Sequence, residues 1–329
     1  MTALALILIT LSAILHSGWN MILKRNNASF ASYAIMYFPD LIIWAHLQFW
    51  TPVHVWQLPW QFFMMVFLSV CCDVTYGQCL VAAYRRMDMS LAYPMMRSLP
   101  IMFTLCLTHA LGLGEPIFWP AVLGMCLVFV GCLVMPLKSF GDFSLRNYFN
   151  RNILLIILVA LGTTGYTLFD SLGQDIMRAH SQEISPLMVT LTYYSTRCLG
   201  LNSLGWLVGL SVPAYRKDFP DTFRNHLVAV VLAGICSSLT YVLVLLAMNF
   251  VENVTFVQVF RQLALPIGMV LAIVFLHERA TLPKVIGVTL ILGGLALCLV
   301  KKPASVEEDN IQLPMTEETQ VLQNSGGEQ

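Results

Sequence analysis

Six charged side chains stand inside long apolar stretches: Asp40, Asp73, Arg97, Asp170, Arg197 and Arg261. A charge in the hydrocarbon of a bilayer costs roughly 2.5–3.5 kcal/mol on insertion scales, so such a residue is a functional candidate by default. Three are acids and three are bases, which predicts pairing in a bundle interior. Arg97 and Arg261 are the leading substrate-binding candidates. A guanidinium keeps its charge at any accessible pH and offers a planar fork of donors to a carboxylate or phosphonate. Between turnovers each is expected to rest on Asp73, Asp170 or Asp40. These three acids and Arg197 form the candidate coupling or ion-pair set, and Asp73, deepest in its stretch, is expected to take up and release a proton. The competing reading is that the pairs only hold helices together. Pro94 and Pro100 flank Arg97, and Pro266 follows Arg261; proline removes a backbone hydrogen bond and predicts kinks beside both cations.

Polar centres in two other stretches add binding candidates. His16 to Asn20 reads HSGWN, and Gly162 to Asp170 reads GTTGYTLFD. Trp19, Asn20, Tyr76, Tyr166 and Tyr241 combine apolar surface or small size with hydrogen-bonding groups, as the lining of an aqueous site requires. Thr75, Gln78 and Thr240 are further lining candidates, and His16 reads as a helix-packing histidine. The nine cysteines all lie in apolar runs without a CxxC spacing, so they read as packing residues, and no metal or cofactor is expected. No P-loop, GxGxxG, HExxH or GxSxG occurs. ATP therefore does not drive this chain through a motif of its own, and an enzyme is not expected.

These residues need elements to hold them. The chain has 329 residues, 57% hydrophobic and 11% charged, against about 25% charged for soluble domains. Formal net charge is zero, so no nucleic-acid partner is suggested; a small-molecule substrate and the lipid bilayer are the expected partners. Ten apolar runs are long enough for membrane helices, at roughly 3–23, 30–50, 59–83, 89–112, 117–137, 152–174, 186–212, 225–250, 254–276 and 281–300. No basic residue precedes the first run and no small-residue cleavage site follows it, so it reads as a retained helix.

The segment from Ala83 to Gly131 recurs as Ala247 to Gly294. Ala83, Asp88 and Arg97 map onto Ala247, Glu252 and Arg261 (247 − 83 = 261 − 97 = 164), while Glu115, Gly124 and Gly131 map onto Glu278, Gly287 and Gly294 (278 − 115 = 294 − 131 = 163). Each glycine pair is seven apart, two helical turns, and predicts one close-packing face. Five spans per half put the second half into the membrane upside down. The expected fold is therefore an all-α membrane protein of ten transmembrane helices in two inverted five-helix repeats: 1–138, then a loop 139–151, then 152–302. A disordered acidic tail, 303–329, closes the chain. Lys and Arg gather in the odd connections (Lys24, Arg25, Arg85 and Arg86 among them), against Arg178, Lys301 and Lys302 in the even ones and at the C-terminal end. The positive-inside rule then favours both termini outside.

HSGWNMILKRN at 16–26, RRMDMSLAYPMMRSLPIMF at 85–103, LGLGEPIFWPAVLGMCLVFVG at 111–131 and the stretch 253–294 resemble the drug/metabolite transporter superfamily, specifically its EamA-type ten-helix members. The resemblance covers roughly 1–301. It implies a central cavity between inverted halves, export or exchange of small metabolites, and cytoplasmic termini, against the loop charges. By position Arg97 and Arg261 match the family's intramembrane arginines, and Glu115 and Glu278 its helix-end acids. The second run lacks the family's usual Arg and carries Asp40. The first run lacks the membrane-embedded Glu of the small multidrug exporters, so their cation exchange is not carried over. The combined expectation is a secondary transporter of an anionic or zwitterionic metabolite, such as an amino acid or organic acid, working by alternating access as a multi-pass protein of the plasma (bacterial inner) membrane. The alternative is a polytopic membrane enzyme or accessory subunit that uses its intramembrane charges for chemistry or assembly.

Overall fold

The computed structural model describes residues 1–25, 29–87, 89–137, 139–142, 153–181, 184–276 and 281–300. Asp88, Glu278, most of the loop 139–151 and the acidic tail 303–329 lie outside them. Met1–Leu299 form one compact unit.

Among the described residues the secondary structure is helical, with no strand. The main helices are α1 (Ala3–Arg25), α2 (Phe30–Met36), α3 (Phe38–Ile43), α4 (Trp60–Arg86), α5 (Met89–Leu111) and α6 (Trp119–Val134). After the central connection come α7 (Ile153–His180), α8 (Pro186–Ser211), α9 (Leu227–Met248), α10 (Val254–Phe260), α11 (Ala264–Leu276) and α12 (Leu282–Cys298). Short turns at Pro213–Arg216 and Phe219–Asp221 and a π turn at Thr222–His226 lead into α9. Four stretches, Ala3–Leu23, Trp60–Ala83, Ile153–His180 and Pro213–Met248, are long and apolar enough to cross a membrane. A helix satisfies its own backbone donors and acceptors, which hydrocarbon cannot do.

Many large apolar side chains stand on the outside of the bundle. On α1, Leu4, Ile7, Leu11 and Ile14 are exposed. They follow the three-and-four spacing of one helix face. The buried side of the same helix carries Ala5, Ile9, Ser12 and Ala13. Large apolar groups thus stand on the outward face of α1 as well as on its inward one, where Leu8, Ile9, Trp19 and Leu23 are buried, and an apolar outer face suits lipid surroundings rather than water.

Two apolar runs differ from the single helices expected of them. The run 30–50 breaks into α2, α3 and a 3-10 turn Ala45–Phe49. Pro39 is at the second position of α3, where its missing N–H costs nothing. Asn202 of α8 donates to the Tyr37 carbonyl at the break, 2.7 Å away. The run 254–276 is interrupted by a 3-10 turn at Arg261–Leu263, just ahead of Pro266. α5, by contrast, stays α-helical through Pro94 and Pro100.

The helices pack across the central connection: α1 on α9, α4 on α7 and α6 on α12 most extensively, with α5 against both α7 and α10, and α2 and α3 against both α8 and α9. The α6–α12 crossing is made by glycine. A Cβ on Gly131 would stand 2.7 Å from the Gly287 carbonyl oxygen, and Gly124 and Gly294 each face the other's carbonyl. One helix rises seven residues while its partner falls seven, so the crossing is antiparallel, and the absence of side chains lets backbones touch.

Candidate functional site

Two adjoining cavities lie among these helices. The smaller is lined by Asn20, Met96, Arg97, Pro100, Thr163 and Gln258 among others. The larger is lined by Trp19, Tyr33, Tyr37, Asp40, Asp73, Tyr194, Arg197, Thr240 and Tyr241 among others. His16, Tyr76, Tyr166 and Arg261 line both. The two spaces therefore meet at a waist of one cation, two phenols and an imidazole, built by α1, α4, α7 and the 3-10 turn after α10. The rings of Tyr76 and Tyr166 meet edge to face at 5.9 Å, and those of Tyr166 and Tyr241 at 5.6 Å.

The charges divide into two groups. Arg197 is fully buried. Its Nη2 donates to Asp73 Oδ2 at 2.6 Å, and its Nε donates to Asp170 Oδ1 at 3.2 Å and to Ser69 Oγ at 3.0 Å. Asp170, with no exposed surface, also accepts from Tyr193 Oη at 2.7 Å and from Tyr241 Oη. The Arg197 guanidinium lies over the Tyr241 ring, 4.7 Å from its centroid. Two carboxylates, a hydroxyl and an aromatic face thus hold one cation between α4, α7, α8 and α9. Such a cluster is rigid because every buried polar group in it has a partner.

Arg261 is held differently. Its Nη1 reaches Tyr166 Oη and Gln258 Oε1, each at 3.5 Å. Among the described residues no carboxylate comes within 4.0 Å of it. The expectation that Asp73 and Asp170 serve as resting partners of Arg97 or Arg261 is thereby corrected: both are bound to Arg197, 124 and 27 residues away in the chain. Asp40 is engaged elsewhere too. It is buried, 3% exposed, and its Oδ2 accepts from Tyr194 Oη at 2.9 Å. Arg97 lines the smaller cavity, and its backbone carbonyl accepts from Gln262 Nε2 at 3.2 Å.

The comparisons with known proteins add fold alone. No family model matches the chain, and no curated protein matches it in sequence. One solved protein crystal structure has the same fold. It aligns with a TM-score of 0.65 at 15% identity, over 91% of this chain and 97% of its own.

Trp19, Asn20, Tyr76, Tyr166, Tyr241, Arg97 and Arg261 all reach the cavities, as do Asp40, Asp73 and Arg197. Asp170 sits behind the lining, bonded to Arg197 and Tyr241. Thr240 lines the larger cavity, whereas Thr75 is exposed. Glu115 is exposed beyond α5, where its N–H donates to the Glu252 carbonyl at 3.0 Å. Several contributors to the site were not singled out from sequence. His16 belongs to both cavities. Tyr193 and Tyr194, adjacent on α8, reach separate carboxylates. Gln258, one turn before Arg261 on α10, was legible from its helical spacing.

Proposed function

We propose that this protein is a secondary transporter that carries a small anionic or zwitterionic metabolite by alternating access. It is a carrier rather than an enzyme, with ten spans in two inverted five-helix repeats, in the plasma (bacterial inner) membrane. The observation that carries the reading is Arg261. A guanidinium on a cavity wall, with two hydrogen bonds at their outer length and no neighbouring carboxylate among the described residues, is an incomplete ion pair. A substrate carboxylate or phosphonate would complete it bidentately. The saturated cluster around Arg197 makes a poor competitor for that substrate.

The helix pairings support the inverted repeat. Counted by apolar run, the first packs on the eighth and the third on the sixth; the second, fourth and fifth pack on the seventh, ninth and tenth. Exchanging the halves maps this set of pairs onto itself. The Gly131–Gly287 and Gly124–Gly294 contacts are likewise exchanged into each other. A site between halves related in this way can be offered to either side by swapping their conformations.

The test is uptake and exchange of radiolabelled amino acids and organic anions in proteoliposomes, with substrate affinity and thermal stability measured for Arg261→Lys and Arg97→Lys. Lysine keeps the charge and loses the fork. Affinity should fall while the melting temperature holds. Normal binding by both variants, or failure of both to fold, would place the site elsewhere.

A further inference from the structure

Asp40 carries a second unfinished interaction in the same cavity that Arg261 lines. Its carboxylate is buried, yet only Oδ2 is bonded, to Tyr194 Oη at 2.9 Å. Oδ1 has no hydrogen-bond partner. The Ser238 hydroxyl stands within weak hydrogen-bonding reach of the carboxylate, but its well-formed bonds go elsewhere: it donates to the Ile235 carbonyl of its own helix at 3.0 Å and accepts from Trp44 Nε1 at 3.1 Å. A buried acceptor left open costs about 1–3 kcal/mol, more for a charged group. A structural carboxylate would have filled it.

The setting is built to keep Asp40 in place. It sits in the first turn of α3, directly after the break at Tyr37. Asn202 ties that break to α8, the helix that also carries Tyr194. Trp44 ties the other end of α3 to α9 through Ser238. Trp19, Tyr33, Tyr37 and Tyr194 line the same cavity. Aromatic rings near an organic cation add attraction without adding a competing charge.

Charge accounting decides what should enter. Asp73 and Asp170 already neutralise Arg197 with one negative charge to spare. Arg261 adds one positive charge to the wall of the larger cavity and Asp40 one negative. A simple anion leaves this low-dielectric space with an excess charge, whereas a zwitterion leaves the balance unchanged.

We infer that Asp40 is the cation-binding end of the substrate cavity: the substrate is a zwitterion whose ammonium donates to Asp40 Oδ1 while its carboxylate occupies Arg261. This deepens the transporter reading and rests on it for the anionic end. It narrows the substrate class from anions and zwitterions to compounds bearing both charges, and it assigns Asp40 to recognition rather than to pairing with an arginine.

The experiment is calorimetric binding to the purified full chain in lipid nanodiscs. The probes are the common α-amino acids and 4-aminobutanoate and 6-aminohexanoate, each beside the monocarboxylate and the alkylamine that lack one of its charges. The variants are Asp40→Asn, Asp40→Glu and Arg261→Lys, each with its melting temperature. Asparagine still accepts from Tyr194 and preserves volume, so folding is expected to persist. At least one zwitterion should bind the wild type about tenfold or more tightly than either single-charge counterpart, as a charge-assisted hydrogen bond requires. Asp40→Asn should erase that preference and leave the monocarboxylate within about twofold. Asp40→Glu should restore part of it. A zwitterion that binds Asp40→Asn as it binds the wild type overturns the assignment, even if Arg261→Lys weakens it. Tighter binding of monocarboxylates than of every zwitterion overturns it as well. Binding indifferent to Arg261→Lys instead defeats the anion reading. A wild type that binds no probe defeats both.

Discussion

Arg197 of α8 and Asp73 of α4 are joined at 2.6 Å, and the same guanidinium holds Asp170 of α7 at 3.2 Å. This one side chain therefore pins three helices. Removing it leaves two carboxylates close together at the cavity wall, the fully buried Asp170 among them, a loss of up to about 3–5 kcal/mol for a broken buried pair. Arg197→Leu should lower the melting temperature in detergent more than any single substitution at Arg97 or Arg261. Asp73→Asn should cost less, because Asp170 stays with the cation. An Arg197→Leu protein as stable as the wild type would show that the cluster contributes nothing to the fold.

The helices were legible because a bilayer-scale apolar run has few other ways to satisfy its backbone, and the six charges within those runs were legible because each interrupts such a run. Partnership was not. Pairing Asp73 with Arg197 rather than Arg97 depends on how α4 and α8 are rotated against each other, and composition alone does not fix helix rotation. Tyr193 and Tyr194 illustrate the same point. Neighbours in sequence point about 100° apart on a helix, so one reaches Asp170 and the other Asp40. The break in the run 30–50 had a signal in Pro39, which disfavours helical geometry at Phe38 and cannot bond back one turn. The signal was outweighed by an apolar run of full membrane length.

Membrane topology gives an independent prediction. The proposed ten spans would put Met1 and Gln329 on one side and Asp142, after five spans, on the other. A compartment-sensitive reporter fused after Gln329 and a second inserted at Asp142 should give opposite signals. Equal signals would eliminate the ten-span arrangement. A cytoplasmic signal from Gln329 would favour the orientation implied by the EamA resemblance, and an external one the orientation implied by the loop charges.

The glycine crossing predicts a sharp difference between neighbouring positions on α12. A Cβ on Gly294 would meet Val128 and the Gly124 carbonyl, and a Cβ on Gly131 would meet the Gly287 carbonyl at 2.7 Å and Ile291 N at 2.9 Å. Those atoms are largely backbone and cannot rotate away, so the helices must separate to admit a methyl group. Overpacking of this kind costs about 1–3 kcal/mol. Gly293, one residue from Gly294, has nothing within 4 Å of its would-be Cβ and is exposed. Alanine there meets no obstacle and has the better helix propensity, by up to about 1 kcal/mol. Gly131→Ala and Gly294→Ala should therefore lower the melting temperature, and Gly293→Ala should hold or raise it. Because Gly131 and Gly294 press on opposite ends of one antiparallel crossing, their double variant should lose less than the sum of the two. Once the first methyl has pushed the helices apart, the second meets less resistance. Fully additive losses would mean that α6 and α12 do not move as a rigid pair.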